Sequence, residues 1–282
     1  MQLRAARLSA FLLACGGPAV PATPPPVADA GATVDTAVSY RDVDPSVPAD
    51  RRAEIHRAQR VGRLLVGFDQ PAEAATDIAV AHGARTDVIG YLVLPGSNEV
   101  QVLFYVREHP LSVGYRVAFT RDGHAPTGEK LDPPEPASAG EEKLFRARQS
   151  VMAKLDHPQQ HYDPVVFPGT LIDEPGIVVY LIASPSQLDT AVFGKHYRAR
   201  TSDDGSQVLE FEALSKGAVE VPLHGAVPPG ATTAGLTVTQ IVTDYPVETH
   251  VFESVVNRVP IFVGTSRGVW KVDGERITFL GK

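Results

Sequence analysis

The densest group of side chains able to do chemistry lies in the segment TDYPVETHVFES. Its alternating pattern predicts a β-strand, so Glu248 and His250, two residues apart, should project from the same face, with Asp244 shortly before them. A carboxylate beside an imidazole can act as a base with its orienting partner, or as two ligands of a metal ion. Asp244, Glu248 and His250 are therefore the candidate catalytic residues. The alternative is an ordinary polar pair on the solvated face of an antiparallel strand.

A second polar group occurs in DHPQQHYD, where His157 and His161 have the spacing that places two residues on one helix face. Such a pair could bind a metal ion. Pro158 lies between them and disfavours a continuous helix, and the chain has neither an H-E-x-x-H motif nor a cysteine partner for them. We therefore expect a solvated loop here, no metal and no other cofactor.

The strand segment HYRAR contains the third group. His196, Arg198 and Arg200 alternate and should share one face, where they could bind an anion such as a carboxylate or phosphate. The alternative is that the stripe simply faces water.

Motifs of the common enzyme classes are missing from the chain. The sequence contains no G-x-S-x-G elbow and no glycine-rich phosphate loop. Its formal net charge is −7, with no stretch that gathers lysine and arginine, so nucleic acid is not an expected partner.

The N-terminus has the order of an export signal. MQLRAAR contains Arg4 and Arg7 and no acidic residue, an apolar run follows at residues 8–14, and Cys15 is the single cysteine of 282 residues. Residues 12–15, LLAC, resemble the lipobox of bacterial lipoproteins, in which the cysteine becomes the lipidated first residue after cleavage. The resemblance implies a signal peptide over residues 1–14 and a membrane partner held through lipidated Cys15.

Gly16 follows the cysteine in place of an aspartate, and the lipobox resemblance then implies an outer membrane where the cell has one. We expect a lipid-anchored protein of the cell envelope, periplasmic or on the outer membrane. Two alternatives stay open: an ordinary secretory signal cleaved near Ala22, giving a secreted or periplasmic soluble protein, and a thiol in a cytosolic protein.

The next segment, residues 15–46, is rich in proline and alanine and poor in large apolar residues. Such a composition cannot bury enough surface to offset the entropy of ordering, so it predicts a flexible tether. The globular domain should occupy residues 47–282, either as one unit or as two subdomains divided near residues 124–168.

Helical patterns occur at two places in this domain. Asp50 is a plausible cap for a helix that runs to Gly67, and Pro71 suits the start of a second, short helix that ends near residue 81. The capping-box pair Ser138 and Glu141 predicts a central helix over residues 140–156.

Strand patterns fill most of the remainder. Alternating or continuous apolar runs predict strands at EVQVLFYV, SVGYRVAF, GIVVYLIAS, HYRARTSDDGSQVLEFEAL, GLTVTQIVT, VETHVFESVV, PIFVGTS and GVWKVDGERITFL. Because the strands come in hairpins, we expect an α+β fold of mostly antiparallel sheets with an N-terminal helical pair and one central helix.

Two functions of different class fit these observations. The first is a non-catalytic module that binds a small ligand or another envelope protein, or has a structural role. The second is an envelope hydrolase or metal-assisted enzyme that uses Asp244, Glu248 and His250. The enzyme requires these three groups to converge in one pocket with shifted pKa values, whereas the binding module does not.

Overall fold

The structure is a computed structural model that describes residues 43–84, 86–120, 124–156, 160–187, 189–223 and 234–282. The predicted signal peptide, most of the predicted tether, Cys15 and His157 lie outside these ranges. The chain divides into two compact units, whose described parts are residues 43–69 with 143–282 (the larger unit) and residues 70–142 (the smaller unit).

Helix α1 is continuous over Arg52–Ala81, where the sequence predicted two helices, and the division between the units falls inside it. Pro71 lies within the helix because a proline removes a single backbone hydrogen bond and often bends a helix without ending it. Burial of apolar residues continues across the proline, from Leu65 to Ala75. No helix in the described ranges combines the length and apolar character needed to cross a bilayer.

The smaller unit contains a four-stranded antiparallel sheet in the order β1-β2-β3-β4. Its strands are Val88–Pro95, Glu99–Val106, Ser112–Thr120 and Thr127–Pro136. Val102 lies opposite Val117, and Phe104 opposite Tyr115, so EVQVLFYV and SVGYRVAF are antiparallel neighbours as their alternation predicted.

The larger unit has a second antiparallel sheet, in the order β5-β6-β8-β9. These strands are Tyr162–Pro168, Ile177–Ala183, Tyr197–Thr201 and Val208–Ala213. Strand β6 is buried along its whole length, which confirms the central position predicted for GIVVYLIAS. The central helix is α2, Ala139–Met152, and Ser138 and Glu141 make the expected reciprocal capping contacts. Its Ser150 donates a hydrogen bond to the carbonyl of Gly205 in the β8–β9 turn.

The larger unit also contains a two-stranded ribbon and a third sheet. The ribbon pairs β7 (Thr190–Gly194) with β10 (Ala218–Pro222). The third sheet has the order β11-β12-β13-β14, with strands Leu236–Thr239, Ile261–Gly264, Val269–Asp273 and Arg276–Gly281. Its first pair is parallel and the others are antiparallel.

Helix α3, Glu248–Asn257, connects the parallel strands β11 and β12. The strand predicted for VETHVFESVV is therefore wrong. Residues 248–254 are all buried, polar ones included, so the segment lacks the exposed polar face that gives a surface helix its period of 3.6. Valines and threonine at every second or third position then imitate the alternation of a strand. Val251 and the start of α1 pack on the third sheet in one apolar cluster with Trp270.

Candidate functional site

The first turn of α3 is held by the side chain of His250. Its Nδ1 accepts a hydrogen bond from the backbone N–H of Val247, the residue that precedes the helix, at 3.1 Å. The backbone N–H of His250 in turn donates to the carbonyl of Val247 at 3.0 Å. The imidazole thus replaces the Glu or Gln that usually caps this position. The histidine that the sequence marked as a base has a structural contact on one of its two nitrogens.

The His250 ring is neutral near pH 7 because burial lowers its pKa to about 4, against a smaller opposing effect from the Val247 contact and the charge of Glu248. Since Nδ1 is an acceptor, the proton lies on Nε2. Within the described ranges no protein group accepts a hydrogen bond from Nε2. His250 therefore offers one fixed donor.

A cleft of about 350 Å³ opens beside this turn, inside the larger unit. It lies between the β7–β10 ribbon, the residues that follow β9, the end of β11 and the first turns of α3. Its apolar lining comes from six side chains: Phe193, Leu214, Ala218, Val219, Val238 and Ile241. Ile241 is 63% exposed, which is unusual for a large aliphatic residue and places apolar surface at the cleft.

Two further buried polar residues line the same cleft. Thr249 is 5% exposed, and none of the described residues hydrogen-bonds to its hydroxyl. Gln240 is 3% exposed; its Nε2 donates to the carbonyl of Leu214 at 3.1 Å, which fixes the amide and leaves Oε1 as an acceptor. Because buried polar groups normally find partners, these atoms are suited to a ligand or to ordered water.

The remaining buried polar residues of the cleft, His196 and Glu253, are held by the protein. The Nδ1 atom of His196 accepts from the backbone of Ala183 and its Nε2 lies 3.1 Å from the carbonyl of Val192, so both ring nitrogens are used. Glu253 accepts a hydrogen bond from the amide of Asn257 at 2.6 Å, and its other oxygen lies 3.9 Å from His196. These two residues shape the cleft wall.

Glu248 lies in a separate buried cluster. It is 3% exposed and accepts a hydrogen bond from the hydroxyl of Tyr180 at 2.6 Å. Arg198 and Arg57 approach the same carboxylate oxygen at 3.4 and 3.5 Å. Arg57 also contacts Glu174 at 2.5 Å, so the cluster joins α1, α3 and the β5-β6-β8-β9 sheet.

The electrostatics of this cluster keep Glu248 ionised. Burial alone would raise its pKa, but the positive charges of Arg57 and Arg198 and the hydrogen bond from Tyr180 outweigh that effect and lower the pKa. Burial and the neighbouring carboxylate raise the pKa of Tyr180 far above its usual value, so the phenol stays protonated as the donor. A carboxylate this well compensated is a poor proton acceptor for a substrate.

Asp244 belongs to a third, partly exposed group. This group joins the residues just before α1 to the turn between β12 and β13. Arg51 binds both of its oxygens, at 2.8 and 3.1 Å, and Arg267 contacts it at 3.1 Å. Arg267 also reaches Asp50 at 2.6 Å. Hydrogen bonds from Arg51 and Arg267 lower the pKa of Asp244, so it serves as an ion-pair anchor.

The arginines of the predicted anion stripe are paired with carboxylates. Arg198 contacts Glu212 on the neighbouring strand at 2.7 Å, and Arg200 forms an ion pair with Glu210. His196 is 2% exposed and does not face water with them. The stripe thus holds strands β8 and β9 together and offers no uncompensated charge to an anion.

Metal ligands are not gathered in the part of the chain that the structure describes. His161 is exposed, and no three His, Cys, Asp or Glu side chains there lie close enough together to hold an ion. His157 is outside the described residues.

The three candidate catalytic residues therefore occupy three different environments. Glu248 and His250 are two apart on a helix, about 200° around its axis, and so point to different neighbours. The cleft brings together His250, His196 and two residues that the sequence did not mark, Thr249 and Gln240. In the sequence, the only hint of Gln240 and Thr249 is that each lies beside apolar residues, Gln240 just after β11 and Thr249 at the start of α3.

Comparisons with models of known families, with curated proteins and with solved structures found no match to this chain.

Proposed function

We propose that the protein is a non-catalytic binding module of the cell envelope, exported and lipid-anchored through Cys15, whose folded part holds a small ligand in the cleft beside α3. The lipobox resemblance at residues 12–15 supports the proposed localisation in the cell envelope. The ligand site rests on the structure of the larger unit.

One observation carries the binding function. The cleft joins an apolar lining to buried polar atoms, on His250, Thr249 and Gln240, that have hydrogen-bonding capacity left. Its volume of about 350 Å³ lies within the range of small-molecule sites, and an apolar lining with few convergent polar groups is their usual composition.

The separation of the acid and imidazole groups favours binding over catalysis. Hydrolysis would need a base beside an activated nucleophile or water, with a group to orient it. Here the ionised carboxylates of Glu248 and Asp244 are bound to arginines, and the pKa of His250, lowered to about 4, makes its ring a weak base. These positions stabilise the fold around the cleft.

The proposal is tested by a neutral fluorescent apolar probe, N-phenyl-1-naphthylamine, titrated into the purified folded region. Gly217 lines the cleft, and a Cβ atom added there has no neighbour within 4 Å, so the backbone tolerates a side chain at this position. We expect Gly217→Phe to fill the cleft and weaken probe binding at least tenfold. Thr237→Phe, on an exposed position of β11 outside the cleft lining, is the matched control and should bind as the parent does.

The decisive outcome is the comparison of the two variants. Equal binding by the parent and Gly217→Phe, or no binding to the parent, would contradict a ligand site in this cleft. Circular dichroism of each variant checks that the fold is retained.

A further inference from the structure

The polar atoms of the cleft differ in whether they donate or accept hydrogen bonds. The Nε2–H of His250 only donates and Oε1 of Gln240 only accepts, whereas the hydroxyl of Thr249 can do either. A ligand that satisfies all three must present an acceptor and a donor near each other. A primary or secondary amide carries both, because its acceptor oxygen and its donor N–H group are bonded to the same carbon.

The charged and polar groups around the cleft disfavour both kinds of ion. The carboxyl group of Glu253 is buried in the wall and would repel an anion. An ammonium group could approach this carboxyl group, but it only donates hydrogen bonds and would leave the Nε2–H of His250 without an acceptor. The one lysine of the lining, Lys216, is exposed and therefore screened by water. A carboxylate placed in the cleft would lose its hydration without gaining a buried counter-charge, and it could not donate a hydrogen bond to Oε1 of Gln240.

We infer that the cleft selects an uncharged carboxamide carried on a short apolar body, with its carbonyl oxygen at His250 and Thr249 and its N–H₂ or N–H group at Gln240. The apolar body lies on Val238, Ile241 and the other apolar residues of the lining. This inference rests on the proposed function and names the ligand class of the same site.

The test uses three ligands with one alkyl chain and different head groups: hexanamide, hexanoate and hexylammonium. Binding of each to the parent is measured directly by ligand-observed NMR at pH 7, so the result does not depend on the fluorescent probe. We expect hexanamide to bind about tenfold more tightly than either ion, because the ions pay the cost of desolvating a charge.

A conservative variant then locates the amide. Thr249→Val keeps the shape of the side chain and removes its hydroxyl, so hexanamide should bind about three- to tenfold more weakly, and N-phenyl-1-naphthylamine, which has no carbonyl group, should lose less affinity than hexanamide does. Thr237→Val, the same change on the exposed face of β11, is the control and should leave both affinities unchanged.

The outcomes separate the two proposals. If the naphthylamine probe responds to Gly217→Phe but either ion binds as well as hexanamide, or Thr249→Val has no effect on hexanamide, the carboxamide inference is wrong and the binding function stands. If neither hexanamide nor the probe binds, both proposals fail.

Discussion

Three successive residues of α3 have separate tasks. Glu248 binds Arg57, Arg198 and Tyr180. Thr249 lines the cleft, and no residue in the described ranges hydrogen-bonds to its hydroxyl. His250 caps the helix through one ring nitrogen and also lines the cleft. Residues adjacent on a helix point about 100° apart, so one turn of α3 supplies both a fold contact and part of the cleft lining.

The pKa of His250 gives the stability of the protein a defined pH dependence. The unfolded value is 6.5 and the folded value about 4, so between these pH values the unfolded chain binds a proton that the native protein does not. The free energy of unfolding therefore rises with pH across this window, by about 3 kcal/mol for a pKa shift of this size. The contribution of His250 is complete above pH 6.5.

His250→Gln should flatten the profile between pH 4 and 6.5 by about that amount, because glutamine can accept the Val247 hydrogen bond but does not titrate. Urea unfolding at several pH values measures this pH dependence of the free energy of unfolding. His161→Gln, at an exposed position, is the control and should follow the parent's profile. A His250→Gln profile as steep as the parent's would show that this histidine is not buried in its neutral form.

Glu248→Gln should lower the free energy of unfolding at pH 7 by about 3 kcal/mol, because Arg57 and Arg198 lose the charge that compensates them. Glu212→Gln removes an exposed partner of Arg198 and should cost about 1 kcal/mol or less. Urea unfolding at pH 7 measures the free energy of unfolding of both variants and of the parent.

Because the folded pKa of Glu248 lies below its ordinary value of 4.5, its contribution is present above pH 4.5 and is lost as the pH falls through the folded value. The difference in stability between the parent and Glu248→Gln should therefore shrink as the pH falls below 4.5. A difference that is constant from pH 7 to pH 3 would contradict an ionised Glu248.

The crossing of α1 and α3 depends on a glycine. A Cβ atom at Gly62 would lie 2.5 Å from Cβ of Val251 and 2.8 Å from the carbonyl oxygen of Glu248, so the two helices are in direct contact there. Any side chain at this position must push α3 away from α1, and α3 carries one wall of the cleft.

Gly62→Ala should therefore destabilise the protein by about 1–3 kcal/mol despite the better helix propensity of alanine. Gly140→Ala in α2 is the matched control: its Cβ meets nothing closer than 4.0 Å, and stability should be unchanged or rise by up to about 1 kcal/mol. Thermal unfolding of both variants checks this. Equal effects of the two changes would exclude a close helix crossing.

Elements with strong local signals were predictable from the sequence, and those governed by burial were not. The capping box of α2, the central strand β6 and the hairpin of β8 with β9 were all predicted, because each has a periodic pattern or turn chemistry of its own. Helix α3 was assigned as a strand because tertiary packing buries its polar residues. Pro71 suggested a helix boundary that the packing of α1 overrides.

The same limit applies to the site. Marking Glu248 and His250 as a pair assumed a strand with a shared face, and that assumption failed with the strand. His250 does line the cleft, but Thr249 and Gln240 join it through contacts between β11, α3 and the residues after β9. Such long-range contacts leave no local pattern in the sequence.

In the whole protein, the proposed N-terminal signal and the folded part would have separate tasks. If Cys15 is the lipid anchor, mass spectrometry of the mature protein from a bacterial membrane should find an N-terminal Cys15 carrying diacylglycerol and an acyl chain. Cys15→Ser should appear in the soluble fraction or remain uncleaved. An unmodified chain that starts at Met1, or cleavage near Ala22, would contradict the lipid anchor and leave the cleft unaffected.

The ligand cleft is the central claim, and methyl NMR of the folded region titrated with hexanamide tests it most directly. We predict saturable shifts confined to the methyl groups of the cleft, among them Val219, Val238, Ile241 and Thr249, with those of the β1-β2-β3-β4 sheet unchanged. Shifts spread evenly over the surface, or no saturable shift at these residues, would contradict it.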